Sequence, residues 1–496
     1  MEGRRHGEQI AHAYDRLLPH LRAMVSRRPM TSGPSVDRET FDVLPVIEGQ
    51  TRIAPHLPAL ILITLIMLID GYDVFMLGKI APAMAADFGE PVTGLTLVFV
   101  LQQIGLALGS FLVGPISDRY GRKTVILISV TAFGMLTLAP IWATSLLQVA
   151  ALRGAAGLFL AGVIPNATAM LTEFAPPHRR ASFVSIAFTG YTAGGAGSAL
   201  VVIWLLDSQG WQSAFLIGGL VPLVLVPIFA LVTDESLQFR VRRNPRDPAL
   251  KRAVQRIDPT LDLRGVEEFR LGDATSEDRS PKPGDALAVF RNGRAPMTLM
   301  LWAAFFMALG LISLMGAWMA TFFHELADVP LSRWAAYSLL SFVGGIAGTT
   351  TIGFLMDRYG RTRILVTLFL IDAVALALLG LLPFGGAPFV VALLVWGYCQ
   401  AGGQAGINAI CAQAYPTSIR ASGVGLAFGM GRLGGVALPA LGGLMLAAQA
   451  SLAQVFLVIA IGPLLVAASL IGISAALARA SSRSETPQPE FAHEHA

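Results

Sequence analysis

The chain has 496 residues, of which 54% are hydrophobic and 14% charged, with a mean hydropathy of +0.63. A soluble domain is about 25% charged, so the composition excludes a water-soluble protein and places most of the chain in lipid. The net charge of +4 does not indicate nucleic acid, because the basic residues sit in short loops between apolar runs.

Residues 1–50 are polar and charged, without the apolar core and small-residue cleavage site of a secretory leader. Ile10, Leu17, Leu18, Leu21 and Met24 suggest a short amphipathic helix there. Membrane-spanning runs follow at roughly 57–86, 92–116, 123–143, 146–172, 182–206 and 212–232. A charged, Pro-containing stretch from about 233 to 294 holds no span. Six further runs occupy roughly 297–324, 332–356, 363–383, 388–413, 420–447 and 452–478. The expected fold class is an all-α integral membrane protein with twelve transmembrane helices in two six-helix bundles. Its divisions are 1–50, 51–232, 233–294, 295–478 and 479–496.

Basic residues are retained on the cytoplasmic side. Arg119, Arg122 and Lys123 follow the second run, Arg179 and Arg180 the fourth, Arg358, Arg361 and Arg363 the eighth, and Arg420 the tenth. Alternate loops are nearly bare, Arg333 excepted. The chain is therefore expected as a multi-pass protein of the plasma membrane, a bacterial inner membrane, with both termini and the central stretch in the cytoplasm.

The first run carries two carboxylates, Asp70 and Asp73, near its middle. A charge there costs roughly 2.5–3.5 kcal/mol on insertion scales. At i and i+3 the two share a helix face, about 4.5 Å apart along the axis. Like charges that close do not both ionise easily, so the pair suits holding and releasing a proton. Satisfaction by an Arg of a neighbouring helix is the competing reading.

Arg432, in the middle of the eleventh run, suits a substrate carboxylate through two parallel N–H bonds; the alternative is permanent pairing with one of the Asp residues. Gln404 and Asn408, at i and i+4, face together at depth and suit a cavity wall or an interhelical hydrogen bond. Trp302, Phe305 and Phe306 share a face of the seventh run and, with Tyr72, Trp396 and Tyr398, are candidates to stack on a substrate ring. Aromatics of membrane helices more often face lipid or core. Lys79, near the outer end of the first run, most simply reaches to the headgroups. Glu173 reads as an ordinary solvated or loop-pairing acid. Gly105 and Gly109, and Gly190, Gly194 and Gly197, recur at spacings that let helices approach closely. Cys399 and Cys411 lie about 18 Å apart on one helix, too far for a disulfide. No zinc-type His-Glu cluster, no Ser with a base and no intramembrane nucleophile is present, so neither an enzyme nor a metal or cofactor is expected.

The halves repeat. Gly114-Pro115-Ile116-Ser117-Asp118-Arg119-Tyr120-Gly121-Arg122-Lys123 recurs as Gly353-Phe354-Leu355-Met356-Asp357-Arg358-Tyr359-Gly360-Arg361-Thr362-Arg363 at the matching place of the second half. Gly121 and Gly360 allow a tight turn. Asp118 and Asp357 suit a cytoplasmic latch that opens as the halves rock.

These loops resemble the signature of the major facilitator superfamily. Within it, Asp70-Gly71-Tyr72-Asp73, Arg153 with Pro165-Asn166-Ala167-Thr168, and Gly431-Arg432-Leu433-Gly434 are similar to motifs of the aromatic acid:proton symporters, over roughly residues 40–480. The resemblance implies the major facilitator fold and uptake of a small aromatic carboxylate with protons, by alternating access, in a monomer. It also implies a part in proton coupling for Arg153, against which stands a structural bond to backbone. Lys79, Asp372 and the N-terminal extension depart from that family's pattern. The remaining alternatives are a proton-coupled carrier of another organic anion (nicotinate, a dicarboxylate, a sugar acid), an exporter, and a transporter-like sensor of aromatic acids.

Overall fold

A computed structural model describes residues 40–49, 56–176, 179–272, 289–291, 293–415 and 420–484. The amphipathic segment expected at residues 10–24 lies outside them. The chain divides into two units.

The smaller unit is built from two stretches far apart in sequence. Strand β1 (Thr40–Asp42) runs parallel to β2 (Glu268–Arg270), with Phe41 opposite Phe269. Between them in chain order come α1 (Leu44–Gly49), α2 (Leu237–Arg243) and α3 (Ala249–Ile257). Phe41, Val43, Ile47, Val241, Leu250, Val254, Val266 and Phe269 close one apolar core. Asp42 fixes the register, its Oδ1 accepting from the backbone of Leu44 at 2.9 Å and of Gly272 at 2.8 Å. A pair of three-residue strands is marginal alone, and this core is what holds it.

Among the described residues, the larger unit contains twelve helices long and apolar enough to span a membrane. They are the first span (Leu57–Asp87), second (Leu95–Tyr120), third (Arg122–Leu138), fourth (Leu146–Leu160 and Val163–Phe174), fifth (Arg180–Gln209), sixth (Gln212–Val232), seventh (Ala295–Ala327), eighth (Leu331–Tyr359), ninth (Arg361–Leu381), tenth (Ala387–Ala414), eleventh (Arg420–Ala447) and twelfth (Leu452–Ile459 and Ile461–Ser484). The fourth is broken at Ala161 and Gly162. Pro165 has no N–H to return to Ala161, and the side-chain amide of Asn166 donates instead to the Gly162 carbonyl at 2.7 Å.

Packing repeats between the halves. In the first, Gly71 and Gly194 let the first and fifth spans meet backbone to backbone, and Gly105 and Gly109 do the same for the second and fourth. In the second, Gly434 meets the Phe306 carbonyl between seventh and eleventh spans, while Gly344, Gly348 and Gly397 join eighth and tenth. Lipid gives helices no hydrophobic drive to associate, so such close approach supplies the contact. Gly197, expected in this set, faces open space.

The repeated loops are also built alike. Gly121 (φ 96°) and Gly360 (φ 93°) end the second and eighth spans in the region that favours glycine. Arg119 lies over the Tyr120 ring at 5.4 Å and Arg358 over Tyr359 at 5.5 Å. At the start of the third span Arg122 pairs with Glu173, 3.4 Å away at the end of the fourth. Correspondingly Arg361, opening the ninth, donates to Gln413 at the end of the tenth. Asp357 is exposed, Gly353 faces open space, and the surroundings of Gly114 and the side chain of Asp118 lie outside the described set.

Candidate functional site

The two acids of the first span keep different company. Asp73 is fully buried and bound by Arg153 of the fourth span on both oxygens, at 2.9 Å to Oδ1 and 2.5 Å to Oδ2. Thr137 of the third span donates to Asp73 Oδ1 at 3.1 Å, and Arg153 Nε donates to Gln102 Oε1 of the second at 3.3 Å. The Phe215 ring of the sixth covers the guanidinium. A bidentate pair with its remaining hydrogen bonds satisfied is how a buried charge persists in lipid. It ties five of the first six spans together.

Asp70, one turn earlier, has no such tie. Its Oδ2 is buried without a hydrogen-bond partner among the described residues. The Arg432 guanidinium of the eleventh span lies near enough to act on it electrostatically, and the Tyr191 phenol of the fifth span is close to both. Gly435, one turn beyond Arg432, accepts at its carbonyl from Gln103 Nε2 of the second span at 3.1 Å. That bond turns the Arg432 face of the eleventh span towards the first half. A carboxylate of one half and a guanidinium of the other therefore lie near each other, with no hydrogen bond or ion pair between them among the described residues.

Of the other candidates, Gln404 Nε2 donates to Asn408 Oδ1 at 2.9 Å, leaving Gln404 Oε1 unpartnered among the described residues. Phe306 and Trp302 are half-buried, Trp302 edge-on to Phe290 at 5.2 Å. Tyr72 is a correction. Its ring is packed in the first half's core and its hydroxyl donates to the Ala214 carbonyl at 3.0 Å, so it is not placed to stack on a ligand. Lys79 is another: instead of reaching to headgroups it is 6% exposed, and its ammonium donates to Ser198 Oγ at 2.9 Å and the Phe75 carbonyl at 3.0 Å.

Sequence reasoning missed Tyr191, Thr137 and the Gln102-Gln103 pair. Two adjacent amides inside an apolar run were the available signal. It also missed the seam between the halves, where Phe75 meets Phe342 (5.3 Å), Phe99 meets Trp318 (5.1 Å), Gly78 touches the Gly316 carbonyl, and Gln103 donates to Ser313 at 2.6 Å. These contacts lie in the half of the bundle away from the signature loops.

Residues 63–354 and 334–494 match the family model of the Major Facilitator Superfamily. The chain belongs to that superfamily and is a membrane transporter, not an enzyme. Among curated proteins, it is 31% identical over 423 residues to the gallate transporter of Pseudomonas putida, covering 85% of this chain and 92% of that one. It is 32% identical over 372 residues to the 4-hydroxybenzoate transporter PcaK of Acinetobacter baylyi, covering 75% and 81%. Among solved structures, the nucleoside transporter NupG superposes with a TM-score of 0.65 at 15% identity, covering 85% of this chain and 99% of that one. The xylose transporter XylE of E. coli gives 0.63 at 15%, covering 84% and 96%.

Proposed function

We propose that the protein carries a small aromatic carboxylate of the hydroxybenzoate or benzoate type into a bacterial cell together with protons, by alternating access between its two halves. The relatives named as gallate and 4-hydroxybenzoate transporters support the cargo. The signature loops face the cytoplasm with both termini, as their arginines favour.

What supports the reading is that Asp70, on the first half, is buried with one carboxylate oxygen unpartnered among the described residues, while Arg432 lies one turn from Gly435, whose carbonyl is bonded by Gln103 of the first half. Arg432 receives the cargo carboxylate. Asp70 and the cargo then present two anions to one cation, and one proton restores neutrality, the charge state that crosses lipid at least cost. Bringing a monoanion into a cell 100 mV negative costs about 2.3 kcal/mol, which one accompanying proton cancels. Each unit of inward pH gradient adds about 1.4 kcal/mol of drive. Asp73 and Arg153 hold the first span in place, and Gln404, Asn408, Trp302 and Phe306 line the cargo's surroundings. The signature residues Asp118, Arg119, Asp357 and Arg358 serve the latch.

The test is uptake of labelled 4-hydroxybenzoate by proteoliposomes under an imposed pH gradient, with gallate, benzoate, nicotinate and succinate as competitors. Gallate and benzoate should compete, and nicotinate and succinate should not. Asp70→Asn should lose uphill accumulation while retaining cargo exchange across the membrane. Uphill uptake by that variant, or competition by succinate alone, would overturn the reading.

A further inference from the structure

Lys79 is a buried cation that the coupling scheme above does not use. Its ammonium makes two hydrogen bonds, to Ser198 Oγ and the Phe75 carbonyl, and forms no ion pair among the described residues. It lies over two rings, Phe75 of its own span at 5.6 Å and Phe342 of the eighth at 5.5 Å. Those rings pack edge to face with each other at 5.3 Å, across the boundary between the halves. Phe75 also touches Tyr191 at 6.0 Å, beside Asp70 and Arg432. Lys79 is one helical turn beyond Phe75, about 13 Å along the axis from Asp70, on the side away from the signature loops.

Lys79 has two fixed acceptors for three donors, and among the described residues the Phe342 ring is the one ring of the opposite half that lies over it. When the halves part at this seam, Phe342 leaves with the second half. The ammonium then faces the opening with Phe75 beside it. A cation next to an aromatic face is a matched pair for a carboxylate attached to a ring: the charge meets the ammonium and the ring packs on Phe75. When the seam closes, Phe342 returns over the ammonium and occupies that place.

We infer that Lys79, with Phe75 and Phe342, forms an outer receiving site for the aromatic carboxylate, open only when the seam is parted and emptied towards Arg432 as it closes. This rests on the carrier reading above. It adds a residue that sets affinity from one side of the membrane only, which Arg432, at the centre, does not do.

The experiment measures KM for labelled 4-hydroxybenzoate in both directions, using right-side-out and inside-out vesicles holding the full-length protein. Lys79→Gln should raise the external KM at least five-fold and leave the internal KM within two-fold, and Lys79→Arg should restore most of the loss. Phe75→Leu, which stays apolar but removes the ring on which the cargo packs, should raise the external KM two- to three-fold. Equal shifts in both directions, or none, overturn the inference. Should Lys79→Gln not fold, Ser198→Cys, beside the retained Lys79 ammonium, with Cys399 and Cys411 replaced by Ser gives a second readout. A membrane-impermeant thiol reagent should label it from outside only, more slowly with external 4-hydroxybenzoate present. Labelling that 4-hydroxybenzoate does not slow, or none from outside in a transporting variant, is equally fatal. Absence of 4-hydroxybenzoate uptake by the unmodified protein fails the carrier reading; uptake with direction-blind KM values fails the receiving site alone.

Discussion

Asp73 and Arg153 form an ion pair with no measurable exposure, and such pairs respond asymmetrically to mutation. Removing one partner leaves the other charged, desolvated and alone, which costs about 3–5 kcal/mol, while removing both is often near neutral. Arg153→Gln is therefore expected to lower the thermal unfolding midpoint of the detergent-purified protein sharply, and Arg153→Gln combined with Asp73→Asn to recover at least half the loss. Equal destabilisation by the single and double variants would count against a mutually satisfied pair. Part of this was legible in the sequence: two acids at i and i+3 in an apolar run announce themselves, as does an Arg inside another. Which acid the Arg holds was not, because a one-turn difference on the first span is resolved only by where the third and fourth spans bring Thr137 and Arg153. Lys79 was misread for the same reason. Its place near the end of a run suggested headgroups, but the fifth span's Ser198 lies within 2.9 Å and draws the ammonium inward.

Glycine spacing told which helices can approach closely but not which glycine faces the neighbour. A stripe read from periodicity has no fixed azimuth, and Gly194 and Gly197 show the consequence. A Cβ on Gly194 would overlap the Leu68 carbonyl and the Tyr72 amide, both backbone, whereas one on Gly197 would meet nothing within 4 Å. Overpacking against backbone costs about 1–3 kcal/mol, and substitutions in open space usually stay within about 0.5 kcal/mol. Gly194→Ala is thus expected to lower thermal stability and transport rate together, by spreading the first and fifth spans, while Gly197→Ala leaves both unchanged. Thermal shift and initial uptake rates on the two variants compare them directly; matching behaviour would remove the assignment of Gly194 to the contact. The break in the fourth span was partly legible from Pro165, but its position at Ala161 and Gly162 depends on the Asn166 side chain bending back to the Gly162 carbonyl.

Across the whole molecule, the repeated signature loop made the two-fold organisation readable, because a turn needing glycine at positive φ, an Arg on a Tyr ring and an Arg opening the next span all leave fixed letters at fixed spacing. Nothing comparable marked the union of residues 40–42 with 268–270, since three-residue strands carry no period and their partners lie more than two hundred residues apart. The seam between the halves was equally silent, being made of ordinary Phe, Gly and Gln residues whose meeting is a property of one conformation. That seam sets the balance of the transport cycle. Gln103 is its polar anchor, one amide nitrogen shared between Ser313 Oγ at 2.6 Å and the Gly435 carbonyl at 3.1 Å. A hydrogen bond contributes about 0.5–1.5 kcal/mol, and 1.4 kcal/mol changes a two-state population about tenfold. Gln103→Ala takes both bonds away from the closed seam and nothing from the opposite state, so it is expected to move the population about five- to a hundred-fold towards closure at the signature loops. Spin labels in place of Tyr120 and Tyr359, both exposed at the ends of the second and eighth spans, report this as growth of a shorter-distance population in double electron–electron resonance. An unchanged distance distribution in Gln103→Ala would mean that the aromatic contacts alone hold the halves together, and that the amide contributes nothing to the choice between states.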